Sequence, residues 1–329
     1  MVRKGLFIVL LVVGWAVVSI AQEPLYSQYM LNLYLINPAV AGAEGVTAFN
    51  LTAREQWLGY KDGPSTYALS AQTRILKTSF RNRSRLIKNR VRRRRPSGRV
   101  GMGAFIYNDV NGRVHRTGFQ GTYGYHIYIR DLQLSFGVSL KGYQYKLDIS
   151  PSDLYDPIDD PLVTAGKSNQ KFSLDANFGT MISTEKYYAG ISLANMFQNP
   201  IKFGGGNNES AYKQLRQYYL IGGYRIEPYR SDFAVEPSIL LTLNERMLFS
   251  ADINVKGYYK QDYWFGVSYR TAGSMVFMGG IKYQQFYFGY AFDYGFKDLS
   301  TLSNGGSHEL MIGMKLGDSA RRYRWLNRF

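Results

Sequence analysis

The 329-residue chain contains no cysteine, so disulfides, iron-sulfur sites and cysteine catalysis are excluded. Histidine is nearly as scarce, with only His115, His126 and His308. No metal-ligand spacing, P-loop or dinucleotide fingerprint occurs, and no cofactor is expected. Ser307, His308 and Glu309 do stand together, but neighbours along a strand point to opposite faces and form no nucleophile-base pair. The reading is therefore of a protein that is not an enzyme. Long hydrophobic runs are also missing beyond the first residues, which rules out a bundle of spanning helices.

The one apolar run belongs to residues 1–21. Arg3 and Lys4 precede an apolar stretch from Leu6 to Val18, which ends in Ser19-Ile20-Ala21. This is the layout of a cleaved signal peptide, and the run is shorter than the roughly 20 residues a spanning helix needs. Residue 22 is Gln, so a lipoprotein anchor on that position is excluded.

What the chain has in abundance is Tyr (28), Phe (19) and Gly (34). Aromatic and glycine richness without long apolar spans is the composition of an outer-membrane barrel, whose strands need only about 10 alternating residues each. The alternation is plain at Leu132, Leu134, Phe136, Val138 and Leu140, opposed by Gln133, Ser135, Gly137, Ser139 and Lys141. It recurs at Phe172, Leu174, Ala176 and Phe178, and again at Met247, Phe249, Ala251, Ile253 and Val255. Period-two segments near 46–58, 64–78, 99–108, 114–129, 131–148, 170–182, 186–195, 214–226, 232–243, 246–256, 262–270, 274–283, 285–295 and 307–316 predict an all-β, antiparallel up-and-down transmembrane barrel of about 14 strands. Near Gly142 the alternation of 131–148 changes, which predicts either a projecting strand or a bulge.

With an even count and both termini in the periplasm, the long connections 149–169, 196–213 and 296–306 face outward. Arg130-Asp131, Thr184-Glu185 and Gln284-Gln285 are then tight periplasmic turns. The predicted inward faces carry Asp175, Glu236, Asp252, Asp293 and Glu309 with Lys141, Lys256, Arg270, Lys282 and Lys315, a mixed set that predicts a hydrogen-bonded lumen.

Net charge is +16, and it is unevenly placed. Residues 81–99 hold ten Arg or Lys and no acid, including Arg92, Arg93, Arg94 and Arg95; residues 318–329 add four Arg, among them Arg321 and Arg322, against one Asp. By strand parity both fall on the periplasmic side. A run of this kind reads as a nucleic-acid patch, as a solvated loop, or as a docking element for an anionic periplasmic neighbour or lipid headgroup. A secreted barrel rarely meets DNA, so no nucleic acid is expected.

One stretch does not alternate. Residues 22–42 read QEPLYSQYMLNLYLINPAVAG, with Tyr26, Met30 and Leu33 spaced for one face of a short helix that Asn37-Pro38 would end. So short a helix needs a surface to lie on. The amides Gln28, Asn32 and Asn37 suit docking on a polar lumen. Residues 22–45 are thus expected to form a plug at the periplasmic mouth of a barrel spanning 46–317.

Tyr26-Ser27-Gln28-Tyr29-Met30, Asn32, Asn37-Pro38-Ala39, Ala41-Gly42, Arg54-Glu55-Gln56-Trp57 and Ser307-His308-Glu309 resemble the signature blocks of the PorP/SprF family. The resemblance implies an outer-membrane component of the type IX secretion system. Its partners would be outer-membrane lipids, periplasmic ring components and a large secreted or surface-attached cargo protein, gliding adhesins in some lineages. The basic insert 81–99 departs from the family pattern. An alternative reading of the barrel is a transporter of hydrophobic small molecules; a lipid hydrolase finds no residues to support it.

Overall fold

The computed structural model describes residues 26–75, 99–148, 170–199, 201–203, 210–212, 214–296 and 305–317. The expected basic elements 81–99 and 318–329, with Arg92, Arg93, Arg94, Arg95, Arg321 and Arg322, lie outside the described residues, apart from Arg99.

Alternation decides the architecture. Side chains along each strand point to opposite faces, and here one face is apolar and the other polar. Fourteen strands close on themselves, each antiparallel to its neighbours: β1 (Thr47–Glu55), β2 (Ser65–Ile75), β3 (Val100–Asn111), β4 (Val114–Ile129), β5 (Leu132–Leu147), β6 (Gln170–Ser183), β7 (Tyr187–Ala194), β10 (Gln217–Tyr224), β11 (Phe233–Asn244), β12 (Phe249–Tyr259), β13 (Tyr263–Arg270), β14 (Ser274–Tyr283), β15 (Phe286–Gly295) and β16 (Ser307–Leu316). The seam joins β1 to β16, with Thr47 opposite Leu316 and Glu55 opposite His308. A separate hairpin, β8 (Ile201–Phe203) with β9 (Ser210–Tyr212), stands in the connection between β7 and β10. Sequence periodicity had marked that region only as a loop.

The surface is inverted relative to a water-soluble sandwich. Leu51, Leu69, Ile106, Phe119, Leu140, Phe172, Ile191, Phe249 and Phe265 are exposed, while Asp175, Glu236, Asp252, Lys256 and Glu309 are buried. Lipid on the outside and a sealed polar interior produce this arrangement.

The two ends differ. At one end, called here the tight-turn end, β4 and β5 are joined through Arg130 and Asp131, and β14 and β15 through Gln284 and Gln285. Arg130 and Gln284 take positive φ values of 52° and 54°, as tight hairpins demand. Strand β1 starts and β16 finishes at this end. The opposite, long-loop end carries the connections 148–169, 195–216 and 296–306.

Gly142 introduces no bulge. The pairing of β4 with β5 runs unbroken from Val114 opposite Leu147 to Ile129 opposite Leu132. What changes is chemistry: past Gly142 the inward residues are Tyr143 and Tyr145, and Gln144 and Lys146 face outward. At 16 residues each, β4 and β5 exceed the about 10 that a crossing requires, so their outer ends leave the hydrocarbon and no longer need an apolar outer face.

Candidate functional site

The inward faces converge on residues 26–45, which lie inside the barrel. The expected helix is replaced by three separate 3-10 turns, Tyr29–Leu31, Leu33–Leu35 and Pro38–Val40. Tertiary contacts override local spacing: each turn presents its own amide or hydroxyl to a different strand, and a regular helix would aim them elsewhere. Nor is the segment confined to one mouth. It starts near the long-loop end and descends to the tight-turn end, where it enters β1.

At the long-loop end, Ser27 and Gln28 donate their main-chain N–H groups to Glu309, at 2.5 and 2.9 Å. The Gln28 side chain donates to the Glu309 carbonyl at 3.1 Å. Glu309 sits among buried charges: Arg54 Nη1 lies 3.6 Å from its carboxylate, and Arg54 Nη2 lies 3.2 Å from Asp293. Arg270 contacts Asp293 at 2.9 Å and Asp252 at 3.1 Å. Ser27 Oγ accepts from Arg54 at 3.0 Å. Burying this many charges is costly unless they are paired, and here they are paired with one another and with the segment's main chain.

In the middle, Tyr29 Oη accepts from Asn254 at 2.7 Å, Asn32 donates to Ser70 at 2.8 Å, and Tyr34 shares a 2.7 Å bond with Thr122. Asn37 caps the third turn by accepting from Ala39 N–H at 2.9 Å, and its amide donates to the Thr180 carbonyl at 3.0 Å. Ser192 donates to the Ile36 carbonyl at 2.8 Å.

At the tight-turn end the donors come from the wall. Arg74 donates to the carbonyls of Gly42 at 2.9 Å and Ala43 at 2.7 Å, and Gln133 also donates to Ala43 at 3.1 Å. His126 Nε2 bonds the Ala41 carbonyl at 3.0 Å, which requires the proton on that nitrogen; Nδ1 then accepts from Ser135 at 2.9 Å. Lys315 pairs with Glu44 at 2.5 Å.

Glycines shape the wall around the segment. A Cβ at Gly101 would lie 1.9 Å from the Ala41 carbonyl oxygen, at Gly137 2.2 Å from the Pro38 carbonyl carbon, and at Gly179 2.0 Å from Asn37 Oδ1. No other residue type fits at these three positions without moving the segment.

The structure brings together most of the residues singled out in the sequence. Tyr26, Ser27, Gln28, Tyr29, Asn32, Asn37, Pro38, Gly42, Arg54 and Glu309 are all buried at the contact between segment and wall. Gln56 and Trp57 stand apart, in the β1–β2 connection. Trp57 has φ 54° and its N–H donates to Ser307 Oγ at 3.2 Å. His308 faces outward, bonded to Tyr290 at 2.7 Å, with Ser307 and Glu309 on the other face. The three therefore do not converge. Arg74, Gln72, His126 and Gln133 were missed; the available signal was a polar inward face combined with small neighbours at Gly101 and Gly124.

A closed antiparallel barrel with apolar outer and polar inner faces defines an outer-membrane β-barrel protein. The chain belongs to the PorP/SprF family: the family described as type IX secretion system membrane protein PorP/SprF matches residues 18–314. No curated protein matches the chain at a significant level. Among solved structures it is similar to Omp33, an outer membrane protein of Acinetobacter baumannii, at 6% identity and TM-score 0.42, covering 83% of this chain and 99% of that one. It is also similar to a FadL homologue of Pseudomonas aeruginosa, at 10% identity and TM-score 0.44, covering 85% and 91%. A mutant of TodX, a monoaromatic hydrocarbon channel, aligns at 11% identity and TM-score 0.44, covering 86% and 92%. The family is one of secretion-system membrane barrels and not an enzyme family.

Proposed function

We propose that this barrel acts within the type IX secretion system by protein-protein interaction, in the secretion or surface attachment of a large cargo protein such as a gliding adhesin. The observation that supports this most is the filled lumen. Residues 26–45 are bonded to strands around the ring, through β2, β4, β6, β7, β12 and β16 among others. A barrel occupied in this way serves better as a docking platform than as an open conduit.

In this reading the long-loop end faces the cell exterior and engages cargo. The tight-turn end, where β16 finishes, faces the periplasm and meets ring components. Residues 81–99 and 318–329 supply cationic docking there, through Arg92, Arg93, Arg94, Arg95, Arg321 and Arg322. Tyr26, the first described residue, lies toward the opposite, outer end.

The test is deletion of the gene followed by an inventory of secreted and surface proteins. Loss of one large surface protein is the expected result, and loss of every secreted protein would make the barrel a core component. Unchanged secretion together with impaired growth on a hydrophobic substrate would overturn the proposal in favour of a small-molecule transporter.

A further inference from the structure

Residues 26–45 are fastened in two different ways, and the difference bears on which part can move. At the tight-turn end the segment continues directly into β1, so it cannot leave without unzipping a barrel strand. There its carbonyls at Ala41, Gly42 and Ala43 take donors from three wall residues, His126, Arg74 and Gln133. Its backbone also lies so close to Gly101 and Gly137 that not even a methyl group would fit between.

The long-loop fastening is of another kind. Asp252, Asp293 and Glu309 set three carboxylates against the guanidinium groups of Arg54 and Arg270. The neighbouring Arg116–Asp109 pair, 3.4 Å apart, adds one charge of each sign and leaves the surplus unchanged. The excess negative charge is met by the N–H groups of Ser27 and Gln28, both directed at the Glu309 carboxylate. Arg54 and Arg270 also donate to Ser27 Oγ, and Arg270 to the Tyr26 carbonyl, but Glu309 alone takes both main-chain N–H groups, and a buried carboxylate lacking those donors would be strongly disfavoured.

We infer that Glu309 is a latch: residues 26–35 form an arm that swings from the lumen toward the long-loop end when Glu309 lets go, hinged on an anchor formed by residues 36–45. This goes beyond the secretion role proposed above and stands whether or not that role holds. Release requires the loss of the contacts around Ser27 and Gln28, then those of Tyr29, Asn32 and Tyr34, together with withdrawal of the buried Met30 and Leu31 side chains. The anchor stays seated, and the wall strands keep their pairing.

The absence of native cysteine makes the test direct. Single reporters Met30→Cys in the arm and Val40→Cys in the anchor are placed in the full-length protein in lipid vesicles and timed against a membrane-impermeant maleimide. In the otherwise native barrel the arm reporter should react at least tenfold faster than the anchor reporter; equal or reversed rates would overturn the inference. Adding Glu309→Gln replaces one acceptor oxygen by an NH2 group facing a main-chain N–H. It should speed the arm reporter at least tenfold more and the anchor reporter less than twofold. No change at the arm, or equal acceleration of both, rejects the latch. If the Gln variant does not fold, the comparison of the two reporters in the native barrel still decides.

Discussion

Arg54 and Glu309 are register partners across the seam where the first and last strands meet, and Arg54 Nη1 lies 3.6 Å from Glu309 Oε2. The same arginine reaches Asp293 on β15 and Ser27 of the lumen segment. One buried guanidinium thus joins closure of the ring to seating of its contents.

Arg54→Met should destabilise the barrel by about 3–5 kcal/mol, because it leaves carboxylates buried without their counter-charge. The measure is the temperature at which the purified protein loses its heat-modifiable migration in detergent. Adding Glu309→Leu should recover part of the loss, so that the double variant costs less than the sum of the singles. Strict additivity would mean that the two residues act independently.

Two glycines on neighbouring strands give a matched pair. Gly137→Ala places a methyl 2.2 Å from the Pro38 carbonyl carbon, whereas a Cβ at Gly121 meets nothing within 4 Å. The first substitution should cost about 1–3 kcal/mol through overpacking. The second should be neutral or stabilising by up to about 1 kcal/mol, since it only restricts the unfolded chain. Thermal unfolding followed by circular dichroism distinguishes them.

Asn37 both accepts from Ala39 N–H and donates to the Thr180 carbonyl. Asn37→Asp keeps the cap and turns the donor into a charged acceptor that faces a carbonyl oxygen. Its cost should exceed the about 1–3 kcal/mol expected for a lost buried partner, and it should be larger than that of Asn37→Ala. Equal melting temperatures for the two variants would show that the contact with Thr180 is unimportant.

How far the fold could be read in advance follows from where the physics is local. Strand alternation is set by each strand's own two environments, so β4, β14 and β16 were legible to the residue at both ends. The buried charges on the inward faces were legible for the same reason, Glu309 and Arg270 among them. The lumen segment was not, because its conformation is dictated by partners far away in sequence: Ser27 answers to Glu309, and Tyr34 to Thr122. Spacing alone suggested a helix at Tyr26, Met30 and Leu33, and the wall imposed three short turns instead. The contact of His126 was illegible for the same reason, since nothing near it in sequence identifies the Ala41 carbonyl.

Tethering has a further consequence. The segment reaches its site from a linker only a couple of residues long, so its effective concentration there is on the order of millimolar or higher. A free peptide copying residues 26–45 would be a poor competitor even with identical contacts. An inhibitor directed at the lumen would gain more from trapping the outer arm after it has swung away than from contesting its seat.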